Sequence, residues 1–133
     1  MKSLYLIPMA VAAMYAGSAS ANPTQASLTL RAHVDSFCRV DGAIADELTI
    51  QEVTPLGDIR EVCNTQGYIV RAAFTNLAGG TVVAGADRAG IDAGTAEFRY
   101  GQAQARIRPW QLYGAVRQNA AAPVYLMVSI TPL

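Results

Sequence analysis

The chain has 133 residues, 52% of them apolar, and its ten basic and ten acidic side chains cancel to a formal charge of zero. That length makes one domain of modest size. A balanced charge gives no electrostatic footprint for nucleic acid or for an anionic membrane surface.

The first segment reads as an export signal. Lys2 supplies a basic n-region, Leu4 to Ala16 forms a short apolar run, and Ala19-Ser20-Ala21 gives the small-x-small pattern of a signal-peptidase site. Pro8 interrupts the run, which falls short of the roughly 20 apolar residues a membrane span needs. Residues 1–21 are therefore expected to be removed, with no membrane insertion afterwards, and residues 22–133 to form the mature domain, 133 − 21 = 112 residues long. Lys2 leaves with the signal. Nine arginines against ten acids then give a net charge near −1.

Beyond the cleavage site the chain reads as a series of short strands. In Ser27 to Val34, Leu28, Leu30, Ala32 and Val34 share one face while Ser27, Thr29, Arg31 and His33 share the other, the period-two pattern of a strand with one buried side. Leu48 to Val53 alternates briefly and is broken by Pro55 and Gly57. Ile59 to Cys63 leads through Asn64-Thr65-Gln66-Gly67 into Tyr68 to Thr75, where Tyr68, Val70, Ala72 and Phe74 line one face. Asn76 to Gly80 reads as a turn, Thr81 to Ala84 as a short strand, and Gly85 to Gly94 as a polar, glycine-bearing connection. Glu97 to Tyr100, Ala103 to Ile107 and Trp110 to Val116 follow, with Pro109 between the last two. The final strand, Val124 to Thr131, turns Val124, Leu126, Val128 and Ile130 to one side. Trp110 or Leu112 is expected to complete the core that these apolar rows form. No sustained helical period with caps occurs in residues 22–133. Many short strands separated by Gly and Pro turns predict an all-β antiparallel sandwich or barrel.

Two cysteines in an exported chain are expected to pair, and closing the Cys38–Cys63 loop stabilises by about 3 kcal/mol in the chain-entropy model. Neither CxxC spacing nor a second histidine accompanies them to build a redox or metal site. Catalytic chemistry has little to work with. His33 is the one histidine, and the carboxylates, Glu61 among them, are scattered singly and read as turn and solvated-face residues. The glycines do not form a phosphate-cradling motif followed by a helix. Arg99, Arg106, Arg108 and Arg117 with Trp110 could make a basic-aromatic patch, but alternating arginines on the outer face of strands are the simpler account. No catalytic, cofactor-binding or metal-binding residue is assigned, and no cofactor is expected.

The segment LTLRAHVDSFC (Leu28 to Cys38), continued by Arg39-Val40, resembles the N-terminus of spore coat protein U-type domains and archaic chaperone-usher pilins, in which an alternating strand likewise runs to a cysteine. GDIREVCNTQGYIVRAAF (Gly57 to Phe74) is similar to the region of the second cysteine in those proteins, and VYLMVSITPL to their final strand. The resemblance implies an immunoglobulin-like, pilin-type sandwich that lacks one strand and so carries an apolar groove. A periplasmic chaperone would fill that groove, and an outer-membrane usher would direct its refilling by the N-terminal strand of the next subunit. The donor segment would lie at about residues 22–36, with Leu28, Leu30, Ala32 and Val34 entering the groove and Val124, Leu126, Val128 and Ile130 flanking it. The implied role is a structural subunit of a surface fibre or coat, with neighbouring copies or similar subunits as partners. The alternative is a secreted binding domain that fills its own groove and does not polymerise.

Overall fold

The computed structural model describes Thr29, residues 31–42 and residues 47–133. The chain divides into two compact units, Met1–Ala32 and His33–Leu133. Of the first, Thr29, Arg31 and Ala32 are described; each is exposed and outside any helix or strand. The expected signal segment and mature N-terminus lie outside the described residues.

The second unit is an antiparallel β-sandwich of nine strands among the described residues: β1 (Cys38–Gly42), β2 (Glu47–Leu48), β3 (Val53–Cys63), β4 (Tyr68–Phe74), β5 (Leu77–Ala84), β6 (Asp87–Gly90), β7 (Thr95–Tyr100), β8 (Gln104–Arg117) and β9 (Val124–Pro132). One sheet has the order β1-β3-β8-β5-β6 and the other β2-β9-β4-β7. The all-β sandwich expected from the alternating runs is the fold the chain adopts.

Period-two burial explains the packing. Along β4 Tyr68, Val70, Ala72 and Phe74 are buried while Arg71 is exposed. They meet Leu56, Ile59, Leu77, Val82, Trp110 and Leu112 from the other sheet, with Phe98 against Trp110 at a ring-centroid distance of 5.3 Å. Val124 and Leu126 are buried on β9, whereas Val128 and Ile130, also expected inside, are half-buried because of their place at the margin of the sandwich.

Five element boundaries differ from expectation. β5 begins at Leu77, inside the expected turn Asn76 to Gly80, and β6 lies inside the expected connection Gly85 to Gly94, where it pairs with β5. Leu48 to Val53 is not one strand: β2 belongs to one sheet and β3 to the other, and the chain crosses between them at residues 49–52. The Thr54 hydroxyl holds that crossing by accepting the Gln51 N–H at 2.9 Å. Pro55 and Gly57 do not end a strand, because a register shift between them absorbs the irregularity. Pro109 does not separate two strands either. Its carbonyl accepts the Gly85 N–H at 3.1 Å, so its nitrogen faces the side where β5 has already ended, and no ladder bond is lost there.

Phe74 is 7% exposed, and its removal leaves a cavity where β4 and β9 pack. Phe74→Ala is expected to cost about 3–5 kcal/mol, measured by denaturant unfolding. A change below about 1 kcal/mol would mean that the site collapses without loss.

Candidate functional site

Two features stand apart from the apolar core. The first is a buried ionic cluster. Glu61 on β3 has no exposed surface. Its Oε2 accepts two bonds from Arg106 at 3.1 Å and one from the Tyr68 hydroxyl at 3.3 Å. Its Oε1 accepts Arg108 Nε at 3.2 Å and Nη2 at 2.5 Å. Arg108 also donates to the Ala84 carbonyl at 2.9 Å, to Asp87 Oδ2 at 2.5 Å and to the Tyr100 hydroxyl at 2.8 Å. The Tyr100 hydroxyl donates to Asp87 at 2.8 Å, and the Arg106 guanidinium lies 4.1 Å from the Tyr100 ring centroid. Each charge thus has an opposite partner, and the contacts join strands of both sheets.

Outer-face arginines and a solvated Glu61 are therefore incorrect for this set. Arg106 and Arg108 share the parity of Trp110 and Leu112, which places them on the inward side of β8. Glu61 shares the inward parity of Ile59 and Cys63. The phase of the strands places these side chains inward, and their mutual pairing offsets the polarity that argues for solvent.

Burial pushes the Tyr100 phenol up to about 12, its bonds to Arg108 pulling the other way. Burial also raises Tyr68. It would raise the Asp87 carboxyl as well, but bonds from Tyr100 and Arg108 outweigh it and leave Asp87 below its ordinary 3.8.

The second feature is a sheet edge that is open among the described residues. On β9, the Tyr125 carbonyl accepts the Thr75 N–H at 3.0 Å, its N–H donates to Thr75 Oγ1 at 2.9 Å, and the Leu133 N–H donates to the Gly67 carbonyl at 2.9 Å. Odd-numbered residues of β9 therefore turn their backbone groups toward β4. By alternation Leu126, Val128 and Ile130 turn theirs to the other side. There β2 pairs only with Val124 and Tyr125, and no other described strand follows. These three residues thus combine an inward apolar side chain with an outward backbone donor and acceptor.

Across the gap stands β1, the edge of the other sheet. Phe37 exchanges bonds with Asn64 on the β3 side, so Cys38 and Val40 direct their backbone groups outward, toward the gap, while their side chains pack on the core. Gly42 closes β1 against β3, where any Cβ would collide with the Asp58 carbonyl oxygen. Cα atoms of β1 and β9 come within 8 Å of each other. Cys38 and Cys63 face each other in the β1–β3 ladder with Cα atoms 4.1 Å apart and form a disulfide, so the expected pairing is present.

Of the expected groove-flanking residues, Val124, Leu126, Val128 and Ile130 stand together on β9. Of the expected donor row, Leu28 and Leu30 lie outside the described residues, and Ala32 and Val34 are exposed in irregular backbone. Thr29 and residues 31–34 are not in a strand. Alternation supplies a face for a strand, but the strand forms only when a neighbour pairs with its backbone. No family model, curated protein or solved structure matches the chain.

Two outcomes are expected of the ionic cluster. Glu61→Ala leaves two arginines without their shared acceptor and should cost about 3–5 kcal/mol, whereas replacing Glu61, Arg106 and Arg108 together by leucine and methionine should recover most of that loss. Unfolding curves for the two variants check the difference. For pH, Tyr100 has a folded pKa raised above its ordinary 10.0, so its contribution is complete below pH 10 and is lost as pH rises toward 12. Stability should fall over that interval, and Tyr100→Phe should flatten the fall; identical slopes would exclude Tyr100 as the group responsible.

Proposed function

We propose that this protein is an exported structural subunit of a surface fibre or coat, assembled by strand donation between copies of a pilin-type, immunoglobulin-like sandwich. The observation that carries the reading is the edge of β9, where Leu126, Val128 and Ile130 combine inward apolar side chains with outward backbone groups opposite the equally open β1. An extended segment entering there can bond both lips and turn alternate side chains inward.

The occupant is residues 28–34 of a second copy of this chain. Leu28, Leu30, Ala32 and Val34 repeat at period two, as a strand with one buried face requires. In residues 33–37, Val34 is 74% exposed and Phe37 is 50% exposed, apolar surface that is costly to leave in water. Inserting a strand between two neighbours needs about 9.5 Å, twice the usual spacing, so β1 and β9 must part to admit it. A head-to-tail contact of this kind does not close on itself and yields a filament.

In this reading the signal segment sends the chain to the periplasm. A chaperone covers the groove there and an usher directs the exchange, after which the subunit stands at the cell surface. The protein acts structurally, without catalysis or cofactor.

The mature chain, refolded at rising concentration, should form a ladder of species in analytical ultracentrifugation. Leu30→Asp should abolish the ladder, since an unpaired carboxylate in an apolar groove costs several kcal/mol. A folded, uniformly monomeric wild-type chain at every concentration would exclude polymerisation and leave the domain that fills its own groove.

A further inference from the structure

The outer face of the five-stranded sheet carries an apolar row that is exposed along its central strand. An antiparallel sheet with one wet side turns apolar residues inward and polar residues outward. The central strand β8 instead turns Ala105, Ile107, Pro109, Gln111, Tyr113 and Val116 outward, a row without a charge. Ile107 is 61% exposed and Val116 56% exposed. The two polar ends in the row satisfy each other, since the Tyr113 hydroxyl donates to Gln111 Oε1 at 2.8 Å. Val53 and Val62 on β3 and Val83 on β5 lie beside the row on the same side. A cleft of about 420 Å³ opens there between Ile107, Ala105, Val62, Arg60 and Arg106. Charges stand on the flanks of this face. Asp41 pairs with Arg39 at 2.8 Å and with Arg60 at 3.8 Å. That leaves Asp58 on β3 and Arg88 on β6, both exposed and neither in an ion pair among the described residues.

We propose that a second copy of this chain docks on the row, face to face, about a two-fold axis that runs along β8. Charge selects the axis. Asp58 stands opposite Pro109 on one flank of β8, whereas Arg88 lies on the other flank, in line with Gln111 through Val83. A two-fold axis along β8 exchanges the flanks and carries β5 and β6 of one copy over β3 and β1 of the other. The unpaired acid and the unpaired arginine then approach each other twice. An axis across the strands would lay each flank on itself and leave both charges unmatched. Along β8 each outward residue meets its own counterpart, so Ile107 packs on Ile107 of the second copy beside the cleft. Sheets stacked in this way lie about 10 Å apart, a gap that an arginine and an aspartate reaching from opposite sides can span. Area is sufficient as well. At about 4.8 Å between strands and 3.3 Å per residue, the five strands present roughly 650 Å². Two such faces bury about 1,300 Å², inside the range of about 1,200–2,000 Å² for specific interfaces. The contact is separate from the open edge of β9 and closes on itself as a two-fold pair, so together with strand donation it joins two fibres side by side.

The test uses the mature chain carrying Leu30→Asp, which takes strand donation out of the measurement. Sedimentation equilibrium at rising concentration should show monomer and dimer in exchange. Ile107→Glu changes an exposed side chain and leaves the core as it is. It should weaken the dimer by about a hundredfold, because the axis sets two carboxylates against each other. Asp58→Arg and Arg88→Asp should each weaken it by about tenfold, since each brings like charges together, and the two combined should restore it. Circular dichroism checks that every variant is folded. A Leu30→Asp chain that stays monomeric at every concentration would overturn the inference, and so would a dimer indifferent to Ile107→Glu. A dimer that the combined exchange fails to restore would overturn the axis along β8. None of these results bears on strand donation, which the ladder of the unaltered chain decides.

Discussion

Glu61 is the charge around which the two sheets are organised. A carboxylate without exposed surface survives only if its desolvation is offset, and here two guanidinium groups and a phenol surround it. Arg108 extends the contact through Asp87 to the start of β6 and through Tyr100 to β7, so one end of the sandwich is held by directional bonds as well as apolar packing. Directional bonds fix a separation and a register, whereas an apolar interface can slide. Glu61 also pairs with Val40 in the β1–β3 ladder. The wall behind one lip of the open edge is therefore held by directional bonds as well as by the ladder.

That rigidity bears on how an edge can stay open. A sandwich with an unpaired strand beside a half-buried apolar row tends to close over it, and Cα atoms of β1 and β9 already lie within 8 Å of each other. Full collapse would require β1 to leave β3. The Cys38–Cys63 disulfide and the ladder from Cys38 to Gly42 oppose this. Disulfide and ionic cluster meet on the same stretch of β3, Glu61 to Cys63. One holds the lip and the other the wall behind it.

The alternation of apolar residues made the sandwich legible because each strand has one wet and one dry face, and β4 illustrates it without exception from Tyr68 to Phe74. The pairing of Cys38 with Cys63 was legible from their number and from the expected export. The ionic cluster was less legible because polarity and phase point in opposite directions: Arg106 and Arg108 are charged, yet fall on the same side of β8 as Trp110 and Leu112. Pro109 misled for a related reason, since proline breaks a strand only where its missing N–H is needed, and that depends on where β5 ends. The bonds of Asn64 to Asp35 and Phe37 left no trace of this kind. A carboxamide that imitates backbone is recognisable only once the chain it bonds to, residues 35 to 37, has been brought alongside.

In the proposed strand donation, self-filling and exchange compete for one groove. A donor segment tethered to its own domain meets the groove at an effective concentration on the order of millimolar, whereas a second copy arrives at its free concentration. At micromolar protein the tethered arm is favoured by about a thousandfold, or roughly 4 kcal/mol. Better contacts cannot redress this imbalance, because the same residues make the same contacts in both arrangements. Geometry can, because avidity vanishes when a linker cannot span the sites.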